Sequence, residues 1–477
     1  MAGNPLAAIQ HIVVLMLENR SFDHMLGLLY TDQGNVSPSG SPYEGLTGKE
    51  TNPDQSNAPV TVFAIQASTP DAYFMPGADP GEGYQATNAQ LFGSDSAPTP
   101  PIATNQGFVT NFAYTLGWEA TTPGWTPLAG TVASNIMGMY TPGTLPVLSG
   151  LARGFAVCDQ WYGSVPTETL PNRAFACAAT SQGHMDDNTK KFTAQSIFGL
   201  MSDNEVDWAI YGYTSSPLTR LNFPDTTNAP ASHFGLFTDF QAAAAKGTLP
   251  PYAFLEPSWG ASGNSQHPNY SVALGEQLIH DVYSALRNGP GWNQTLLIIT
   301  YDEHGGCFDH VAPPTDAVPP DASAGEFGFD FKRFGPRVPT VLVSSWIAPG
   351  TVLRAPAGSA PFDHTSILKT IQRRWNLPAL SARDAAAPDV SSVLTLTTAR
   401  TDDPLQGVTV PQIKVAHPAD VPISHLEQVH AELVSLLPIP DANGGTHHVM
   451  PALRTSADAQ AYIDARTAAW VACRRLG

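Results

Sequence analysis

The chain has 477 residues, 42% of them hydrophobic and only 13% charged, and its 41 acidic against 23 basic side chains leave a net charge of −18. That supplies ample apolar material for a large core, while the acidic balance argues against a nucleic-acid partner, which needs clustered Lys and Arg. No run reaches the roughly 20 apolar residues of a transmembrane helix, no secretory leader is read at the amino end, and Cys158, Cys177, Cys307 and Cys473 show neither CxxC spacing nor a disulfide framework.

The first predicted element is Ile12–Leu17, a short continuous β-branched run that reads as a buried strand. It runs straight into Glu18, Asn19, Arg20, Ser21, Asp23 and His24, and Ser21 is placed to cap a helix beginning near Phe22. Residues 31–107 are rich in Pro, Gly, Ser and Asn and read as a loop-rich insertion over one face of the core. Order returns at Leu145 with a helix, a strand over Phe155–Cys158, a loop, and a helix opening near Thr169 with Pro171 in its first turn. Leu274, Leu278, Val282 and Leu286 mark one stripe of a further helix, which feeds a strand over Leu296–Thr300. PRVPTVLVSSW supplies another strand, and a helix follows Asp363 as its cap. After about Thr397 no period holds until a helix over Ser456–Arg474.

Apolar strands alternating with helices predict a single α/β domain with a largely parallel sheet covered on both faces. In such a sheet the site lies beyond the carboxyl ends of the strands. Glu18 and Asn19 follow one strand; Asp302 and Glu303 follow another. If those strands are neighbours, three carboxylates and an amide oxygen meet in one crevice, where their repulsion calls for a cation. Hard oxygen ligands suit Mg, Ca or Mn, with Zn also admissible. Each piece alone has a plainer reading. Thr169 serves equally as a helix cap, His267 as a surface loop residue, His304 and His310 as structural groups at a tight turn, and Asp363-His364 as a cap cluster.

Taken in order, ENRSFDHMLG, SVPTETLPNR, the QHP loop, TYDEHGGCFDHVAPP and FDHTSIL resemble the phosphoesterase family, which includes bacterial phospholipases C and acid phosphatases. The resemblance covers roughly residues 10–380, with about 397–477 as a carboxy-terminal extension. It implies an alkaline-phosphatase-like fold, a central, mostly parallel sheet between helices with long loop insertions. Position by position, it implies that Glu18, Asn19, Thr169, Asp302 and Glu303 hold one divalent metal ion and that Thr169 is the nucleophile. It makes His267 a phosphate ligand or leaving-group acid, with His304 as the other candidate acid. Asn172 and His310 are expected to bind substrate, and Asp309 shares the His310 block. Where many members carry a histidine after an Asp-Pro-x segment, this chain has Glu82, so an acid is expected to face the substrate. The activity so implied is hydrolysis of phosphate mono- or diesters, phospholipid headgroup bonds included, through a phosphothreonine. Sulfate or phosphonate ester hydrolysis and a non-catalytic, partner-binding role are the competing expectations.

Overall fold

The computed structural model describes residues 5–122, 126–268, 270–414, 417–439 and 449–476. At its centre, β1 (His11–Leu17), β2 (Ala156–Cys158), β3 (Trp208–Gly212), β4 (Phe234–Leu236), β5 (Tyr252–Leu255), β6 (Thr295–Tyr301), β7 (Thr340–Val343) and β8 (Thr351–Val352) form one sheet. Their spatial order is β8-β2-β7-β6-β1-β5-β3-β4. Every neighbouring pair is parallel except the two made by β7, which runs antiparallel to β6 and β2. From Ile12 to Leu17 and from Leu296 to Ile299 no side chain is exposed. Both faces of these strands are covered, which is why their sequences are unbroken apolar runs rather than alternating ones.

Two groups of helices supply the covers. Val272–Arg287 packs against Pro146–Gly154 and Phe237–Lys246, while Thr169–Ala178 packs against Thr365–Trp375 and Ile197–Asp203. Within the first group Glu276 is fully buried, and its carboxylate accepts the orphan N–H groups of Val147 (2.6 Å) and Leu148 (2.9 Å) at the start of the Pro146 helix. No helix among the described residues is long and apolar enough to cross a membrane, and the four cysteines are free.

Several local expectations shift. Ser21 caps Phe22–Leu26, accepting the His24 N–H at 3.2 Å. Thr169 is not a cap: Glu168 holds that position and Thr169 is the first helical residue. Asp363 lies in a two-residue strand and receives the Thr365 N–H (3.0 Å) from one position outside the cap, which is His364. The Val272–Arg287 stripe is rotated, with Leu274 half-buried and Gly275 and Ile279 inside. The insertion contains a nine-residue helix, Tyr84–Phe92, whose buried positions include Thr87, Asn88 and Gln90. An apolar period could not mark a helix that buries amides. The short strands β3, β4 and β5 and the helix His425–Ser435 were likewise unmarked.

Beyond β1 the chain is locked by a buried ion cluster. Arg337 donates to Asp23 (2.8 Å), to Asp309 (2.9 Å) and to the carbonyls of Glu44 and Asp159 (2.8 Å each), with its guanidinium 4.4 Å from the Phe22 ring centroid. His310 completes it, with Nδ1 2.6 Å from Asp23. Burial opposes ionisation of Asp23, but Arg337 and His310 outweigh it and hold the carboxyl below its usual range. His310 is thus tied into this cluster and does not line the strand-end cavity where contact with substrate was expected. Removing the guanidinium would strand two buried carboxylates, so Arg337→Ala is expected to cost about 3–5 kcal/mol, read as the loss of unfolding free energy in urea titration.

Candidate active site

The parallel register of β1 and β6 pairs Leu17 with Tyr301, so Glu18-Asn19 and Asp302-Glu303 leave the sheet side by side. Asn19 takes a left-handed conformation (φ 53°), which asparagine tolerates better than most residues. Its backbone N–H then donates to Asp302 Oδ1 at 2.9 Å. Gly305 closes the same corner at φ +60°, where a Cβ would lie 2.0 Å from the Asn19 carbonyl, so only glycine fits.

The Thr169–Ala178 helix points its first turn at this corner. Thr169 is buried, and its Oγ1 donates to Asn19 Oδ1 at 3.2 Å. One helical turn on, Arg173 lies on the same face and donates to Asp302 Oδ2 at 2.9 Å. Asn172 accepts the Val165 N–H (3.1 Å) and donates to the carbonyls of Val165, Thr167 and Glu168. Its amide is thus committed to the loop that delivers Thr169, which corrects its expected place on substrate. From another segment Arg20, buried, donates to the carbonyls of Gln266 (2.5 Å) and His267 (3.0 Å), fixing the histidine loop beside Glu18.

A cavity of about 460 Å³ opens here, lined by Glu18, Asp79, Glu82, Glu119, Thr169, His267 and Tyr270, and by Pro422–Leu426 of the carboxy-terminal segment. Glu82 receives the Asn19 side-chain amide, which also donates to His267 Nε2 at 3.1 Å. The acid expected to face the substrate therefore does line the cavity. His304 does not: its Nε2 lies 2.7 Å from Gln90 Oε1 and its Nδ1 3.1 Å from Glu303, both in the interior. Burial pushes its imidazolium down to about 3, and the ring is absent from the cavity lining where a leaving-group acid was expected. His364 is also structural, with Nε2 2.5 Å from the Asp302 carbonyl.

The acids here are charged only at a cost. Burial pushes the Glu18 carboxyl up to about 7 against the pull of His267. Burial and then Asp302 drive Glu303 well above the carboxylate range; burial, Asp79 and Glu303 do the same to Glu82. Asp302 is held by Arg173 and two N–H donors, and Glu303 Oε2 accepts from Gly305 N at 2.8 Å, so the three carboxylates converge less tightly than expected. Among the described residues, ligand atoms within 4.8 Å of one another occur instead in Asp79, Glu82 and His267, and in Asp23, Asp309 and His310. Even so, the donor set fits a hard cation. Glu303 Oε1 is buried without a hydrogen-bond partner, and Asn19 Oδ1 and Thr169 Oγ1 add neutral oxygens beside the carboxyls. Glu119 and the Pro422–Leu426 segment carried no motif signal; Arg173 closes the TETLPNR segment and Asp79 opens the Asp-Pro-x segment, but neither was given a role, which for Arg173 its spacing of four residues from Thr169 could have suggested.

Residues 9–378 match the family described as the Phosphoesterase family. The chain is 36% identical over 451 residues to non-specific phospholipase C6 of Arabidopsis thaliana, covering 90% of this chain and 81% of that protein. It is 29% identical over 442 residues to phospholipase C A of Mycobacterium tuberculosis strain H37Rv, covering 82% and 78%. A solved protein of the alkaline phosphatase superfamily from Vibrio parahaemolyticus aligns with 12% identity over 52% of this chain and 63% of its own, at a TM-score of 0.33, and adds nothing to the family match.

The Asn172 correction has a direct test. Asn172→Ala is expected to lower kcat about 10²-fold by loosening the Thr169 loop while leaving inhibition by inorganic phosphate within about threefold; a direct phosphate ligand would move both.

Proposed function

This chain belongs to the phosphoesterase family and is a hydrolase of phosphoric esters, and we propose that it cleaves phosphodiesters, phospholipid headgroup bonds among them, with Thr169 as nucleophile. The observation that carries this reading is the Thr169 hydroxyl, presented at a helix start into a cavity and held 3.2 Å from Asn19 Oδ1. Helix-terminal N–H groups and the positive helix end favour an anion beside it.

Glu18, Asn19, Thr169, Asp302 and Glu303 would hold the one divalent metal ion. Bound there, a divalent cation lowers the pKa of a contacting hydroxyl and offsets phosphate charge. The chain's own groups do the rest. Arg173 holds Asp302 in place, Asn172 holds the loop, and His267 faces the phosphoryl group from the cavity wall. Its Nδ1 is 3.1 Å from the Pro268 carbonyl and its Nε2 receives the Asn19 amide, a pattern that suits a neutral ring better than a proton donor. Thr169 Oγ attacks phosphorus in line, the ester P–O bond breaks, and water then hydrolyses the phosphothreonine.

Glu82 fits this reading as a neutral acid. A carboxyl kept protonated by burial can donate a hydrogen bond to a phosphoryl oxygen instead of repelling it. The other acids of the cavity wall, Glu18, Asp79 and Glu119, still oppose the second negative charge of a monoester, which supports diesters as the preferred class. The relatives named as phospholipases C support the same choice.

Thr169→Ala is expected to reduce kcat at least about 10³-fold, some 4 kcal/mol of barrier, with the divalent metal content unchanged by elemental analysis. Near-normal turnover with metal retained would remove Thr169 as nucleophile. Exhaustive chelation should abolish hydrolysis and a divalent cation restore it; full activity in metal-free protein would remove the metal from the reading. With p-nitrophenyl phosphate, its bis-ester and phosphatidylcholine compared side by side, kcat/KM should be higher for the diesters.

A further inference from the structure

We propose that His425, which lies outside the span matched to the family, is the group that protonates the leaving alcohol. The proposal rests on the Thr169 reading above and adds the acid that it lacks. Among the described residues lining the cavity the basic side chains are His267 and His425. His267 has both ring nitrogens engaged. His425 differs. Its Nε2 lies 3.4 Å from Asp187 Oδ2, its side chain is half-exposed at the cavity wall, and Nδ1 makes no hydrogen bond with any described residue. A carboxylate behind one ring nitrogen and an open nitrogen on the other side is the arrangement a proton donor needs.

Asp187 links this imidazole to the nucleophile's own helix. Its Oδ1 accepts the N–H of Leu170, the residue after Thr169, at 2.8 Å. The histidine is also held from its own side. Ser424 and Glu427 form a reciprocal cap (3.2 and 2.8 Å), and Glu427 accepts the Ser456 hydroxyl at 2.9 Å, tying the segment to the last helix. Gly260 packs so closely on this cap that a Cβ would lie 2.9 Å from Glu427 Oε2. Asp187, with Glu168 and Asp79 further off, outweighs burial and raises the imidazolium above its ordinary value.

The proton count closes over the cycle. Thr169, its hydroxyl proton lost to solvent, forms the Oγ–P bond while the bond from phosphorus to the alcohol oxygen breaks. That oxygen takes the proton of His425, leaving a neutral ring. In the second half the ring removes a proton from the water that attacks phosphorus, the Oγ–P bond breaks, and the departing Thr169 oxygen regains from solvent the proton it gave up.

An acid of this kind matters in proportion to how poor the leaving group is. The test compares methyl p-nitrophenyl phosphate, whose nitrophenolate leaves unaided, with dimethyl phosphate, whose alkoxide does not, in the wild-type chain, His425→Gln and Thr169→Ala. His425→Gln should lower kcat on the dialkyl ester about 10²–10³-fold and on the nitrophenyl ester less than about threefold. An equal fall on both esters, or no fall on either, overturns the assignment; a matching thermal midpoint for His425→Gln and wild type separates an equal fall from misfolding, and if the midpoint drops His425→Asn is read instead. Thr169→Ala should lose both esters, so activity there would fail the nucleophile reading and not this one.

Discussion

Much of the molecule follows from the parallel pairing of β1 with β6 and the hydrogen bond that continues it past the sheet, from Asn19 N–H to Asp302 Oδ1. Two strands in register deliver two acidic pairs to one corner, and the left-handed turn at Asn19 frees its side-chain amide to point at Thr169, Glu82 and His267. Gly305 exists at its position because that corner leaves no room for a Cβ. Arg173 and His364 brace Asp302 from the Thr169–Ala178 helix and from the strand-to-helix turn after Phe362.

Buried carboxyls divide into two kinds, and the division separates scaffold from site. Glu256 and Glu276 are satisfied by N–H donors, and Asp23 and Asp309 by Arg337. Such groups hold loops and helix ends, and a satisfied buried acid needs nothing further. Glu303 and Asp79 instead each keep an oxygen without a hydrogen bond. Unsatisfied groups of that sort are destabilising in the fold and are retained where chemistry uses them.

The cavity is assembled from segments that a core motif scan would pass over. The insertion contributes Asp79 and Glu82 at the start of a helix whose buried face is made of amides, and the carboxy-terminal segment contributes Pro422–Leu426. The family match ends at residue 378, before the Pro422–Leu426 segment that closes this wall. Glu18 belongs to the strand-end corner itself, whereas Asp79, Glu82 and Glu119 reach the wall from residues 79–119.

The sequence by itself determined the α/β class, the two longest strands, and the order of the ENR, TETLPNR, QHP and DEH segments, because apolar runs bounded by polar clusters and short motifs are local signals. It placed Glu18, Asn19, Thr169, His267 and Asp302 at one site through resemblance, and the fold brings those residues together. Tertiary structure alone decided which histidines line the cavity. His304 and His310 stand in the same motif block, yet one is sealed against Gln90 and the other is bound to Asp23, while His425, more than a hundred residues further on, reaches the cavity. Protonation and access depend on what surrounds a ring in space, and chain position carries no record of that.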